Sequence, residues 1–259
     1  MPHAHIVLAH PGANSFNAHL AQLAKQRLAG HGWTTTLSDL YGLGFDPCER
    51  AEHYTDRHDP SRFDVQAEQK HACDTGTIPV DVAREIADLD RADLVILQYP
   101  MWWHLPPAML KGWFDRVFIY DQVYASKKRF EHGRFRGKRA LLSVTVATSA
   151  ATYAHNGRSG DIDLMLWPVN FSLAYAGFDV LAPFVAYGVE SGLRYSSKDV
   201  IDARLRGIER DLEAALGEIS TRPVVPFNRM ADWTPDGHIR PDAPVYSPFL
   251  RHRRDLELG

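Results

Sequence analysis

The chain has 259 residues, 45% of them hydrophobic and 24% charged, with a formal net charge of −3. These values fit a packed globular protein and exclude nucleic acid or an anionic membrane as its main partner. Two distant cysteines, Cys48 and Cys73, exclude a disulfide framework or zinc spacing.

A reducing cytoplasm is the expected compartment. The opening residues lack the charge and apolar run of a signal peptide, and no apolar stretch is long enough to cross a bilayer. In chain order, His5–Ala9 reads as a buried strand and Phe16–Leu28 as a helix with Leu20, Leu23 and Ala24 on one face. Trp33–Leu37 is a second strand and Ala92–Gln98 a third. Ala108–Phe118 is helical, with a stripe of Leu110, Trp113, Phe114 and Val117. Arg139–Thr145 is a fourth strand. Asp161–Tyr175 is a helix that Pro168 could interrupt. Phe178–Tyr187 is a fifth strand, and Lys198–Ile219 the last helix.

Continuous apolar strands separated by helices predict an α/β fold with a doubly wound, five-stranded parallel sheet covered on both faces. A flavodoxin-like strand order, 2-1-3-4-5, suits five strands better than a closed barrel does. Residues 1–220 would form this domain, and about 42–90 an insertion over the surface or across a partner subunit, with a short helical pattern near Val82–Leu89. From residue 221 to 259, prolines such as Pro223, Pro226 and Pro235 predict an irregular arm, either at a dimer interface or loosely ordered. His3 and His5 alternate on a strand edge and read as solvated surface, as do His53 and His58.

Ligands of such sheets bind beyond the carboxyl ends of the strands. Three loops converge there. After the first strand, His10 to Asn17 leads into a helix whose free N–H groups suit phosphate; an ordinary capped helix is the alternative. No Walker lysine or dinucleotide-fold glycine spacing is present. After the third strand comes Tyr99-Pro100-Met101-Trp102-Trp103-His104. Two adjacent tryptophans are hard to bury in one core, and a stacked planar ligand accounts for them; core plus interface aromatics would too. After the fourth strand, Thr145-Val146-Ala147-Thr148 is small enough for close ligand approach, and Tyr153 offers a hydroxyl to developing negative charge. Read alone, that segment is equally a plain loop.

Several stretches together resemble the NAD(P)H:quinone oxidoreductases, the DT-diaphorase-like branch of the flavodoxin fold. They are Val7-Leu8-Ala9-His10 with Ser15-Phe16-Asn17, Ser38-Asp39-Leu40-Tyr41, Ala92-Asp93-Leu94-Val95, Leu110-Lys111-Gly112-Trp113-Phe114 with Arg116-Val117-Phe118, Gly160-Asp161, Leu166-Trp167-Pro168 and Gly177-Phe178. Their order and spacing hold from the first strand to about residue 190.

The resemblance implies tightly held FAD, with FMN the lesser candidate, and a homodimer with sites at its interface. It also implies two-electron, ping-pong reduction of a quinone or similar aromatic acceptor by NADH or NADPH. By position, His10, Ser15, Phe16 and Asn17 would hold the FAD phosphate and adenosine side. Pro100, Met101, Trp102, Trp103 and His104 would flank the isoalloxazine, and Thr145, Val146, Ala147 and Thr148 its other edge. Tyr153 would sit by the flavin N1–O2 edge. Trp103, His104, Tyr124 and Tyr175 would line the substrate pocket, Tyr124 reaching in from the other subunit.

The chain departs from the family in three places. It lacks the glycines of the usual Thr-Thr-Gly-Gly run. Ser159 stands where some members have the histidine partner of the tyrosine, and Ser126 replaces a second pocket tyrosine. A hydroxyl can hydrogen-bond but carries no positive charge. Arg194 and Arg204 are candidate adenine or phosphate contacts. Two other classes fit the sequence: a flavoprotein sensor or ancillary subunit with incidental turnover, and a flavodoxin-like domain without flavin.

Overall fold

The computed structural model describes residues 1–190 and 196–247, with residues 250 and 252. Its sheet contains β1 (His3–Leu8), β2 (Thr34–Asp39), β3 (Leu94–Pro100), β4 (Arg139–Thr145), β5 (Asp179–Val180) and β6 (Phe184–Ala186). All named pairs are parallel, in the order β2-β1-β3-β4-β5, with β6 also on β4. The helices are α1 (Phe16–Gly30), α2 (Val65–Thr75), α3 (Val80–Arg91), α4 (Ala108–Val117), α5 (Ile162–Tyr175) and α6 (Lys198–Gly217).

Alternate residues of the buried strands feed two cores. Ala4, Ile6, Leu8, Leu94 and Ile96 pack with Leu20 and Leu28 of α1 and Leu212 and Leu216 of α6. Val7, Val95, Leu97 and Tyr99 face Ile86 of α3, Trp113 of α4 and Leu166 of α5. The helices thus cover both faces, as the strand pattern predicts.

Some of these expectations hold and others change. The single fifth strand Phe178–Tyr187 is two short strands sharing one edge position. Leu181 N–H still donates to Ala140 O at 2.8 Å, but Ala182 N–H turns outward to Pro223 O at 2.7 Å, and Pro183 has no N–H to give. Helix α5 runs through Pro168 without interruption, because Leu166, Val169 and Leu173 stay buried and hold it on the sheet. The stretch between β2 and β3 carries two helices, α2 and α3. Its last part, α3, is the crossover helix itself, and the added segment contributes α2. Gly112 of α4 admits that segment, since a Cβ there would collide with the Pro47 carbonyl.

His3 and His5 are not solvated. Both are buried against the α3 side of β1. His3 Nδ1 lies 2.7 Å from Thr34 Oγ1, and His5 Nδ1 2.9 Å from Thr36 Oγ1. Beside them Glu85 is fully buried. It accepts from Ser38 Oγ at 2.8 Å and from Trp113 Nε1 at 2.9 Å. His5 Nε2 stands 3.9 Å from the same carboxylate. Burial pushes the Glu85 carboxyl up. The His5 ring and the Trp113 and Ser38 donors outweigh that and hold it below the usual glutamate range. Of the other histidines, His58 is exposed, and half-buried His53 sits between Asp46 and Glu49.

The start of the arm packs on its own chain. Val225 N–H donates to Val180 O at 2.8 Å, and the Phe227 ring sits 6.2 Å from Phe171. Its described residues carry no α-helix or named strand, only the short 3-10 turn Met230–Asp232.

Candidate functional site

The carboxyl ends of β1, β3 and β4 are tied together below the loops they launch. Asn17 of α1 is the knot: Gln98 Nε2 donates to its Oδ1 at 2.8 Å, and its Nδ2 donates to Thr145 Oγ1 at 3.0 Å. Above them Met101 N–H donates to Thr145 O at 2.9 Å. Asn17 is buried by these bonds, so its side chain fixes the loops from beneath.

The loop after β3 doubles back at once. Trp102 and Leu105 exchange both backbone hydrogen bonds, at 3.0 and 3.1 Å. The two residues at the corner, Trp103 and His104, have φ of 53° and 65°. Side chains with a Cβ adopt that region at a cost of about 1–3 kcal/mol, which persists where function demands it. Trp102 is 42% exposed and Trp103 92%. Among the described residues, neither the Trp103 nor the His104 backbone N–H has a partner. The corner therefore offers flat apolar faces and free N–H donors side by side.

The His10 ring lies 6.0 Å from that of Trp102, and His10 Nδ1 accepts from Gly12 N–H at 2.9 Å. Ser15 caps α1, its Oγ accepting from Ala18 N–H at 3.1 Å. The Phe16 and Asn17 backbone N–H groups find no partner among the described residues. Free donors at a helix N-terminus suit phosphate oxygens. Phe16 itself stacks on His19, with centroids 5.8 Å apart. On the third side, Val146 N–H donates to Ala186 O and Gly188 N–H to Thr148 O, both at 2.9 Å. Thr148 and Thr152 join hydroxyls at 2.6 Å. Tyr153 ends a 3-10 turn and leans on Tyr187, 6.2 Å away. Ser159 N–H donates to Thr152 O at 2.9 Å. No hydrogen bond joins the Ser159 and Tyr153 hydroxyls.

Tyr124 and Tyr175 come together with ring centroids 6.1 Å apart. They close one end of an apolar groove of about 410 Å³, whose other walls include Leu105, Phe114, Phe118 and Phe171. Phe114 and Phe118 escape sequence reasoning because the α4 stripe looks uniformly like core. Of that stripe Leu110, Trp113 and Val117 are fully buried, while Phe114 keeps 9% exposure. Arg204 is engaged by Gly188 O and Glu190, a pairing that its place in an amphipathic helix does not signal. Arg194 lies outside the described residues.

The site's donors, flat faces and groove fit an elongated cofactor with phosphates at one end and a planar ring at the other. A family model described as "Flavodoxin-like fold" matches residues 2–212. NAD(P)H dehydrogenase [quinone] 1 of Cavia porcellus is 35% identical over 210 residues, covering 80% of this chain and 75% of that protein. The chain belongs to this quinone dehydrogenase family of the flavodoxin-like fold. Ribosyldihydronicotinamide dehydrogenase [quinone] of Mus musculus is 36% identical over 187 residues, with coverage of 71% and 81%. A Klebsiella pneumoniae structure described as a candidate quinone reductase superposes with a TM-score of 0.84 at 29% identity, over 93% of this chain and 95% of that one. No helix among the described residues is long and apolar enough to cross a membrane.

Proposed function

We propose that the chain is an FAD-dependent NAD(P)H dehydrogenase (quinone), a homodimer that passes two electrons to a quinone-like acceptor by ping-pong turnover. The observation that carries this is the Trp102–Leu105 corner. It spends backbone strain to hold two tryptophans in solvent beside free N–H donors, directly over the carboxyl ends of the sheet. The relatives' names give the reaction class.

The flavin, when bound, supplies hydride acceptance and donation, and the protein supplies position and electrostatics. Trp102, Trp103 and the Pro100–His104 backbone present a face and hydrogen-bond donors to the ring. Ser15, Phe16 and the α1 N-terminus hold phosphate, with His10 alongside. Thr145 to Thr148 border the ring's far edge, where the side chains of Ala147 and Thr148 narrow the approach. Tyr153 would offer its hydroxyl as a hydrogen-bond donor to the bound ring and so stabilise negative charge there. Tyr124 and Tyr175 stack against the flat acceptor and exclude water from it.

The test is the spectrum and mass of whatever purified protein releases, followed by steady-state NAD(P)H–quinone turnover. Released FAD and rapid turnover are expected. Released FMN would correct the cofactor, and a folded, colourless protein that gains no flavin absorbance with added FAD would overturn the reading. A sensor or ancillary role draws on the unpaired Tyr153 and Ser159 hydroxyls. It predicts bound flavin with negligible turnover.

A further inference from the structure

The added segment after β2 presents Gln66, Gln69, Lys70 and Cys73 along one face of α2, at helical three- and four-residue spacings. All four reach a single short stretch of chain. Gln66 Nε2 donates to the Tyr124 hydroxyl at 3.3 Å, and Gln69 Oε1 accepts from the Tyr120 backbone N–H at 2.9 Å. Lys70 Nζ lies 3.5 Å from Asp121 Oδ2, and Cys73 Sγ donates to Tyr120 O at 3.6 Å.

That stretch needs holding. Tyr120–Tyr124 is a tight loop, closed by Asp121 N–H donating to Tyr124 O at 2.8 Å. Asp121 has a φ of 70°, a left-handed conformation that costs most residues with a Cβ about 1–2 kcal/mol and aspartate less. Lys128 Nζ donates to the Asp121 carbonyl at 2.8 Å. Strain of this kind survives only where the surroundings over-determine it. Among the four α2 contacts, Gln69 is the one that is only 3% exposed. Gln66 and Lys70 stand in solvent, where such contacts contribute little.

We propose that Gln69 is a positioning residue: from the buried face of α2 it fixes the Tyr120–Tyr124 loop and thereby sets the width of the groove that Tyr124 and Tyr175 line. This rests on that groove being the acceptor pocket. A fixed gap beside two phenol rings favours flat, fused-ring acceptors that fill it. A loose Tyr124 forfeits that preference. The added segment therefore decides acceptor size from a distance, without touching the acceptor through Gln69.

The test uses full-length, flavin-loaded protein with Gln69→Leu, which removes the acceptor oxygen, and Gln69→Glu, which keeps it. Gln69→Leu should speed amide exchange of Tyr120 to Tyr124 about tenfold, with β1 and β3 unchanged. It should lower kcat/KM for a two-ring naphthoquinone relative to a one-ring benzoquinone about tenfold, mainly through KM. Gln69→Glu should restore both. If Gln69→Leu does not fold, Gln69→Met takes its place. In the unaltered protein, the Tyr120 amide should exchange as slowly as those of β3; fast exchange there overturns the proposal. Tyr124→Ala separates the two readings. If it shifts the acceptor ratio while the Gln69 variants do not, the pocket stands and the positioning role falls. If it leaves the ratio unchanged, the pocket reading itself falls, and the positioning role with it.

Discussion

Two tryptophans ten residues apart show how this molecule divides its work. Trp113 is fully buried, and its indole N–H donates to Glu85, itself bonded to Ser38. Trp103 is almost wholly exposed on a corner with positive φ and backbone donors that no neighbour uses. One region satisfies every demand of a large aromatic and locks α3 and α4 to β1 and β2. The other leaves those demands open at the end of the same sheet. Stability is concentrated beneath the sheet, and binding capacity is left at its carboxyl edge.

The sharpest way to break this division is Glu85→Ala. It leaves the Trp113 and Ser38 donors buried without a partner, and should cost about 3–5 kcal/mol of unfolding free energy, read from denaturant curves. If it costs less than about 1 kcal/mol, the buried cluster is not the stabilising region. Acid should act at the same place. Glu85 binds its proton less readily in the folded chain than in the unfolded one, so its contribution is present above the unfolded value of roughly 4.3. It is lost as pH falls through the lower folded value. Unfolding curves of Glu85→Gln should accordingly flatten in that acidic range relative to the parent.

At the other region, Trp103→Ala should weaken flavin binding about tenfold, or roughly 1.4 kcal/mol. Unfolding free energy should stay within about 0.5 kcal/mol of the parent. A large loss of stability with unchanged affinity would reverse the assignment of the two tryptophans. Tyr153→Phe should slow flavin reduction about fivefold, as loss of one hydrogen bond does, and weaken flavin binding by less. Equal stopped-flow rates remove Tyr153 from the chemistry. The double change Trp103→Asn with His104→Gly supplies residues that tolerate positive φ. It should raise stability by about 0.5–1 kcal/mol while lowering flavin affinity.

Much of this was legible in the residues. The run Leu94–Leu97 within the third strand is apolar without a break, and that pattern alone requires burial on two faces. The Trp102–Trp103 pair announced an exposed aromatic corner, because one core cannot take both. The proline-rich arm reads as a segment without regular structure, since its prolines withhold N–H donors. Other features had no local signal. His3 and His5 look like edge residues until Thr34 and Thr36 of β2 bond their rings and Glu85 of α3 comes up beside His5. The fifth strand looks continuous until Pro223 draws the Ala182 N–H away. Asn17 reads as a ligand-facing residue but spends its amide on Gln98 and Thr145.

The sequence by itself determined the elements and their layering, because hydrophobic periodicity is a local property that burial enforces residue by residue. It determined the three loops that meet at the carboxyl edge as well, since parallel crossovers leave them nowhere else to go. Only the tertiary structure decided which polar groups are spent on one another and which remain free. Partners such as Gln69 and Tyr120, or Glu85 and Trp113, lie tens of residues apart. Their hydrogen bonds form only once the chain has closed around them, and no spacing along the chain records such a meeting.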